Sequence, residues 1–191
     1  MIDDNLGRAL LKTARYAIGV ELGRSLGAWP EHEALLAHGA TFVTLFRHGE
    51  LRGCIGTLKA HRPLGADVRA NALAAAFHDP RFPALNQGEF DDLSVEVSLL
   101  SPAEPMHVVD EEQLLARLNR GVDGVIIEYD GRRATFLPQV WATLPEPRDF
   151  IVELKRKAGM PDDFWSAAVN VFRYGVTKWR ESELTVAQDP V

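Results

Sequence analysis

Apolar residues recur along this chain with two periods, and the alternation of those periods divides it into elements. Between 3 and 27, Leu6, Leu10, Ala14, Ile18 and Leu22 fall one helical turn apart, the spacing that lines up side chains on one helix face. Asp3 and Asp4 suit the start of this helix and Gly27 its stop, with Trp29-Pro30 breaking the pattern beyond. From Ala40 to Arg47 the chain is rich in β formers, His48-Gly49-Glu50 reads as a turn, and Leu51 to Leu58 returns as the partner strand. A second helix is predicted over 63–77, opened by Pro63 and striped by Leu64, Val68, Ala72 and Ala75. It runs into His78-Asp79-Pro80-Arg81-Phe82-Pro83, whose two prolines make a stiff loop.

The second half repeats the theme. Leu93 to Ser101 alternates strictly, with Leu93, Val95, Val97 and Leu99 on one face and Ser94, Glu96 and Ser98 on the other. Asp110 and Gln113 resemble a capping box that opens a short helix to Asn119. Val125 to Tyr129, the turn Asp130-Gly131 and the return over 132–137 form a hairpin. A helix over 147–158 closes at Gly159, and one last strand is predicted over 169–179. Two hairpins, each followed by a helix, suggest an internal repeat. The fold class is α+β, an antiparallel sheet built from two related hairpin-plus-helix halves. A single domain over 1–180, with room for a small lobe, and a polar tail over 181–191 complete the expectation.

The lone cysteine changes the picture most. Cys54 sits in Leu51-Arg52-Gly53-Cys54-Ile55-Gly56. In a regular strand Arg52 and Cys54 share a face, and a neighbouring cation favours the thiolate, the reactive form. A small buried hydrophobe is the competing reading. One cysteine in 191 residues excludes an intramolecular disulfide framework and thiolate-rich zinc or iron–sulfur sites. No ligand spacing supports a metal, and no cofactor motif is present: there is no Walker loop, dinucleotide fingerprint, nucleophile elbow or HExxH. The net charge of −6 argues against a dedicated nucleic-acid binder. With no long apolar run and no signal-peptide pattern, a cytoplasmic protein without a membrane span is expected.

Other chemistry-bearing residues carry competing readings. His78, Asp79 and Arg81 either rim a cleft or simply stiffen a turn. Glu96 is either an acid–base group or part of a solvated sheet face, and pattern alone favours the latter. Gln139, in the unusual strand ending Leu137-Pro138-Gln139-Val140, can bond a ligand or tie down a loop.

The blocks LRGCIGTL (51–58), FHDPRFPAL (77–85), LSVEVSLLSPAEP (93–105), GVDGVIIEYDGRRATFLPQV (121–140) and KAGMP (157–161), in this order, resemble the AMMECR-type domain. The likeness runs from about Ala14 to Trp179. The bacterial branch of that family is called AmmeMemoRadiSam system protein A. The resemblance implies an α+β fold with two related halves. It also implies a pathway shared with a Memo-type protein and a radical-SAM protein. It makes Arg52, Cys54, Asp79, Arg81, Glu96 and Gln139 the leading site candidates and raises Glu96 above its pattern-based standing. The expectation is a small enzyme using Cys54, Arg52 and Glu96 for catalysis, with Asp79, Arg81, Gln139 and His78 toward an unidentified small molecule. The alternative is a non-catalytic module that binds those two partner proteins.

Overall fold

The computed structural model describes residues 3–185. The chain divides into two compact units, one from its start to Leu100 and again from Thr177 onward, the other over Ser101–Val176.

The first unit opens with α1 (Asp4–Glu21), N-capped by the Asp3 carboxylate. The helix stops well before Gly27, because Leu22 already caps it and Gly23 takes a positive φ of 78°. After a 3-10 turn (Glu33–Leu36) come β1 (His38–Gly39), β2 (Thr41–Arg47), β3 (Glu50–Gly56), β4 (Arg62–Pro63), α2 (Leu64–Phe77), a 3-10 segment (Gln87–Asp92) and β5 (Leu93–Leu100). The second unit holds β6 (Glu104–Pro105), α3 (Glu111–Arg117), β7 (Gly124–Tyr129), β8 (Arg132–Phe136), a 3-10 turn (Pro138–Ala142), α4 (Pro147–Lys157) and β9 (Asn170–Tyr174). The chain then supplies β10 (Val176–Arg180) and α5 (Glu181–Thr185).

The repeat is real at the level of topology. One four-stranded sheet runs β10-β5-β2-β3 and the other β6-β9-β7-β8. In each, a hairpin is preceded by one helix and followed by another, and the next long strand returns beside the hairpin's first strand. Both turns put a non-glycine residue in the left-handed region, His48 at φ 52° and Asp130 at φ 49°, as a two-residue hairpin of this type requires. β1 and β4 form a separate two-stranded ladder.

The strand expected over 169–179 is two strands in two sheets. β9 pairs with β7 while β10 joins β5. The physical reason is where the apolar side chains go: Val171 belongs to the second core and Trp179 to the first. The expected tail also begins later than 181. Glu181 starts α5 and is gripped by Arg15 at 2.6 Å, and the rest of that tail, 186–191, lies outside the described residues.

Burial explains each layer. Leu10, Ala14 and Ile18 of α1, Val68, Ala72 and Ala75 of α2, Val43 and Leu45 of β2, and Val95 and Val97 of β5 form one core. Val125, Ile127, Leu114, Phe150, Ile151 and Leu154 belong to the other. Small residues on α2 let its backbone approach the sheet closely. A Cβ on Gly53 would sit 2.2 Å from the Ala75 carbonyl oxygen, so only glycine fits there. The bare backbone at Gly53 therefore receives a helix rather than a ligand.

Candidate functional site

The strand pair β2–β3 does not keep the simple alternation expected of it. Leu45 faces Gly53 and Phe46 faces Leu51, which leaves Arg52 as the extra residue of a β-bulge. The bulge breaks the period of two, so Arg52 and Cys54 part company. The Arg52 guanidinium turns to the 3-10 segment and binds both oxygens of Glu89, at 2.9 and 3.1 Å, and the Pro83 carbonyl at 2.9 Å. Arg47 reaches the same carboxylate at 3.3 Å. Hydrogen bonding from Arg52 holds the Glu89 carboxyl below its ordinary range, with Asn86 and Arg47 adding to the effect against the cost of burial. Arg52 and Glu89 are both buried, and the pair ties the bulge to the segment that leads into β5.

Cys54 belongs to the sheet face turned away from the helices, and its side chain is only partly buried. Thr44 lies directly across from it, with Thr44 Oγ1 3.2 Å from Cys54 Sγ. On its other side Thr44 faces Glu96. Glu96 in turn receives Arg180 of β10 at 2.7 and 3.1 Å, with Lys178 at 3.8 Å. One line across four strands thus carries a thiol, a hydroxyl, a carboxylate and two cations. Arg180 also lies over the Phe46 ring, 4.2 Å from its centroid, a cation–π contact that steadies the guanidinium.

The cation bonded to the strand of Cys54 is Arg81, from the loop after α2. The stiff loop after α2 buries Asp79, whose carboxylate accepts the Cys54 backbone N–H at 2.9 Å and the Arg81 side chain at 2.7 and 2.9 Å. Arg81 then donates to the Cys54 carbonyl at 3.3 Å. These bonds, the Arg81 side chain first and the Cys54 and Arg81 backbone N–H groups after it, hold the Asp79 carboxyl far below the usual carboxylate range although burial opposes them. Arg81 is raised above its ordinary value chiefly by Asp79, and the charge of Cys54 adds to that.

His78 is exposed at the end of α2, where its backbone N–H binds the Ala74 carbonyl. Gln139 is exposed on the 3-10 turn of the second unit. Thr44, Lys178 and Arg180 were missed by sequence reasoning because only the sheet register brings them together. Asp67 was missed as well. Fully buried in the first turn of α2, its carboxylate accepts from Thr41 N and Oγ1, Thr57 Oγ1, Arg62 Nε and Asn71 Nδ2, at 2.7–2.9 Å. Among the described residues, no three or more His, Cys, Asp and Glu side chains are grouped to hold a metal ion, and no helix is long and apolar enough to cross a membrane.

Known proteins share this architecture. A protein of Methanothermobacter thermautotrophicus is 37% identical over 175 residues, 88% of this chain and 90% of the relative. One of Thermotoga maritima is 36% identical over 179 residues, 91% and 93% of the two chains. The crystal structure of the uncharacterized protein PH0010 from Pyrococcus horikoshii is similar with a TM-score of 0.76 and 31% identity, covering 95% of this chain and 93% of that one. The AMMECR1 family model matches residues 11–179. With the match spanning both units and the relatives aligned over most of their length, this chain belongs to the AMMECR1 family.

Proposed function

We propose that the chain is a small enzyme whose reacting group is the Cys54 thiol. The observation that carries this reading is the polar line Cys54–Thr44–Glu96–Arg180 on one sheet face. Cys54 is the nucleophile. Thr44 orients its sulfur. Arg81, rather than Arg52, is the cation bonded to the Cys54 backbone, through its carbonyl. Glu96 moves protons on the substrate. Arg52 is a positioning residue that holds the bulge through Glu89. Asp79 keeps Arg81 in place. His78, exposed at the end of α2, contacts the bound molecule from the rim. The substrate is a small polar molecule. The setting is a pathway shared with a Memo-type protein and a radical-SAM protein, as the family resemblance implies.

The test is the rate of Cys54 alkylation by iodoacetamide at neutral pH. The native protein reacts in the folded state, Arg81→Ala reacts more slowly, and Arg52→Ala keeps the native rate wherever it remains folded. A thiol that is labelled only on unfolding removes the enzyme reading.

One observation favours a second reading. Arg52 and Asp79 bond internally, to Glu89 and Arg81. A module that binds the Memo-type or radical-SAM protein needs its sequence blocks to hold such a shape and needs no reactive thiol. A complex with either partner that survives Cys54→Ala in size-exclusion chromatography supports that reading.

A further inference from the structure

The first unit holds a cavity on the far side of its core, away from the Cys54 line. It has a volume of about 590 Å³ and lies between α1, the loop that follows it and α5. That size is typical of small-molecule sites. The positions Arg8, Lys12, Arg15 and Tyr16 are spaced by four, three and one along α1, so they share a stripe of the helix and line the cavity.

The wall is built in advance. Tyr16 donates its hydroxyl to the Gly27 carbonyl at 2.5 Å and its ring meets Trp29, centroids 4.2 Å apart. Leu26 packs over Gly19 of α1. These contacts pin the loop over the helix, with Leu11, Leu26 and Pro30 giving the cavity an apolar side and Leu184 of α5 extending it.

The charges on the wall are not balanced. Arg15 is engaged by Glu181 at 2.6 Å and by the Phe90 and Leu93 carbonyls at 3.2 and 2.7 Å. Glu181 is therefore neutralised within the wall. Arg8 and Lys12 have no ion-pair partner among the described residues. Two cations with no ion-pair partner among the described residues, beside an apolar surface in a chain of net charge −6, are suited to a ligand that combines an anionic head with an apolar body.

We infer that this cavity binds a small amphipathic anion, an organic carboxylate whose head meets Arg8 and Lys12 and whose hydrocarbon body lies along Leu11, Leu26 and Pro30. The site is independent of the Cys54 line.

The experiment uses the full chain with 1-anilinonaphthalene-8-sulfonate, a fluorescent amphipathic anion, as reporter. One saturable site is expected. Decanoate displaces the reporter. Decanol, with the same body and no charge, does not at equal concentration, and neither does inorganic phosphate, with charge and no body. Arg8→Gln with Lys12→Gln weakens reporter and decanoate binding by about tenfold, the loss of charge-assisted contacts. Should the double variant fold poorly, Lys12→Gln alone, at an exposed position, gives a smaller loss in the same direction. Cys54→Ala binds as the native chain does, which separates this result from the fate of the catalytic proposal. No saturable binding, equal displacement by decanol, displacement by phosphate, or unchanged affinity in the folded charge variants overturns the inference.

Discussion

Counted back from their hairpin turns, the two sheets place different chemistry at equivalent points. In the first, Thr44 stands between Cys54 and Glu96. In the second, Ile126 stands between Thr135 and Phe172. The topology is served by Ile and Phe at positions where the first sheet carries a hydroxyl and a carboxylate. Full burial of such an apolar side chain contributes about 1.5–3 kcal/mol, so the first sheet gives up stabilisation to keep a polar line. The second hairpin also pairs without a bulge over Val125–Tyr129, so the extra residue, Arg52, belongs to the first half alone. A third contrast lies in the fourth residue of the helix after each hairpin. It is Asp67 in α2 and Phe150 in α4. Asp67 gathers a buried hydrogen-bond network, whereas Phe150 stacks on Trp141 at 3.9 Å. Features that the second half folds without are the ones to examine for function, and the Asp67 network shows that some of them are structural all the same.

The largest effect is expected at that network. Asp67→Ala strands the Thr41 N–H, two hydroxyls and the Arg62 guanidinium that the carboxylate now satisfies. Breaking a buried, charge-assisted cluster of this kind costs about 3–5 kcal/mol, to be read from the urea midpoint at constant m-value. A loss under about 1 kcal/mol, the range of a surface ion pair, means that the α2 network is dispensable and the contrast with Phe150 carries no energetic meaning.

A middling effect is expected at Asp79, which has a sign that pH can test. Asp79→Ala leaves the Cys54 N–H without its acceptor, and a buried donor left unpaired costs about 1–3 kcal/mol. Because the folded carboxyl lies far below its ordinary range, its contribution is complete above the unfolded value of about 4. It fades as pH falls from there toward the folded value. Native protein therefore loses stability on acidification below about pH 4 more steeply than Asp79→Ala does. Parallel slopes for the two proteins contradict the Asp79–Arg81 clamp.

Much of this architecture was legible in the sequence, and the failures have physical causes. Period and turn chemistry predict both hairpins, the helices after them and the repeat, because these signals are local. The face of Arg52 was misjudged because a bulge is a property of two strands together. Nothing within β3 reveals that Leu45 and Phe46 of β2 straddle it. The last strand was read as one because Val171 and Trp179 are equally apolar, and only tertiary packing assigns them to different cores. Cys54, Asp79 and Arg81 could be singled out from residue type and family likeness. Their mutual bonds could not, nor could Thr44 and Arg180, which reach the line through register from distant parts of the chain.

The smallest stability change should come from the polar line itself, and this bears most directly on the proposed chemistry. Thr44→Val preserves β-branched shape and removes one partly buried hydroxyl whose side-chain contact is the Cys54 sulfur. Glu96→Gln removes the charge facing Arg180 and Lys178, whose side chains are 34% and 48% exposed. Glu96 itself is only 12% exposed, but both cations reach solvent, so the pairs contribute about 1 kcal/mol. Each variant should therefore stay within about 1 kcal/mol of the native protein. Thr44→Val should nonetheless alter the Cys54 alkylation rate in the folded state, because it removes the hydroxyl that orients the sulfur. A line that matters to reactivity and little to stability is what the comparison of the two sheets demands. If instead either substitution costs as much as Asp67→Ala while the alkylation rate stays unchanged, the line is a structural ladder. The difference between the halves would then reflect how each closes its sheet, with no bearing on chemistry at Cys54.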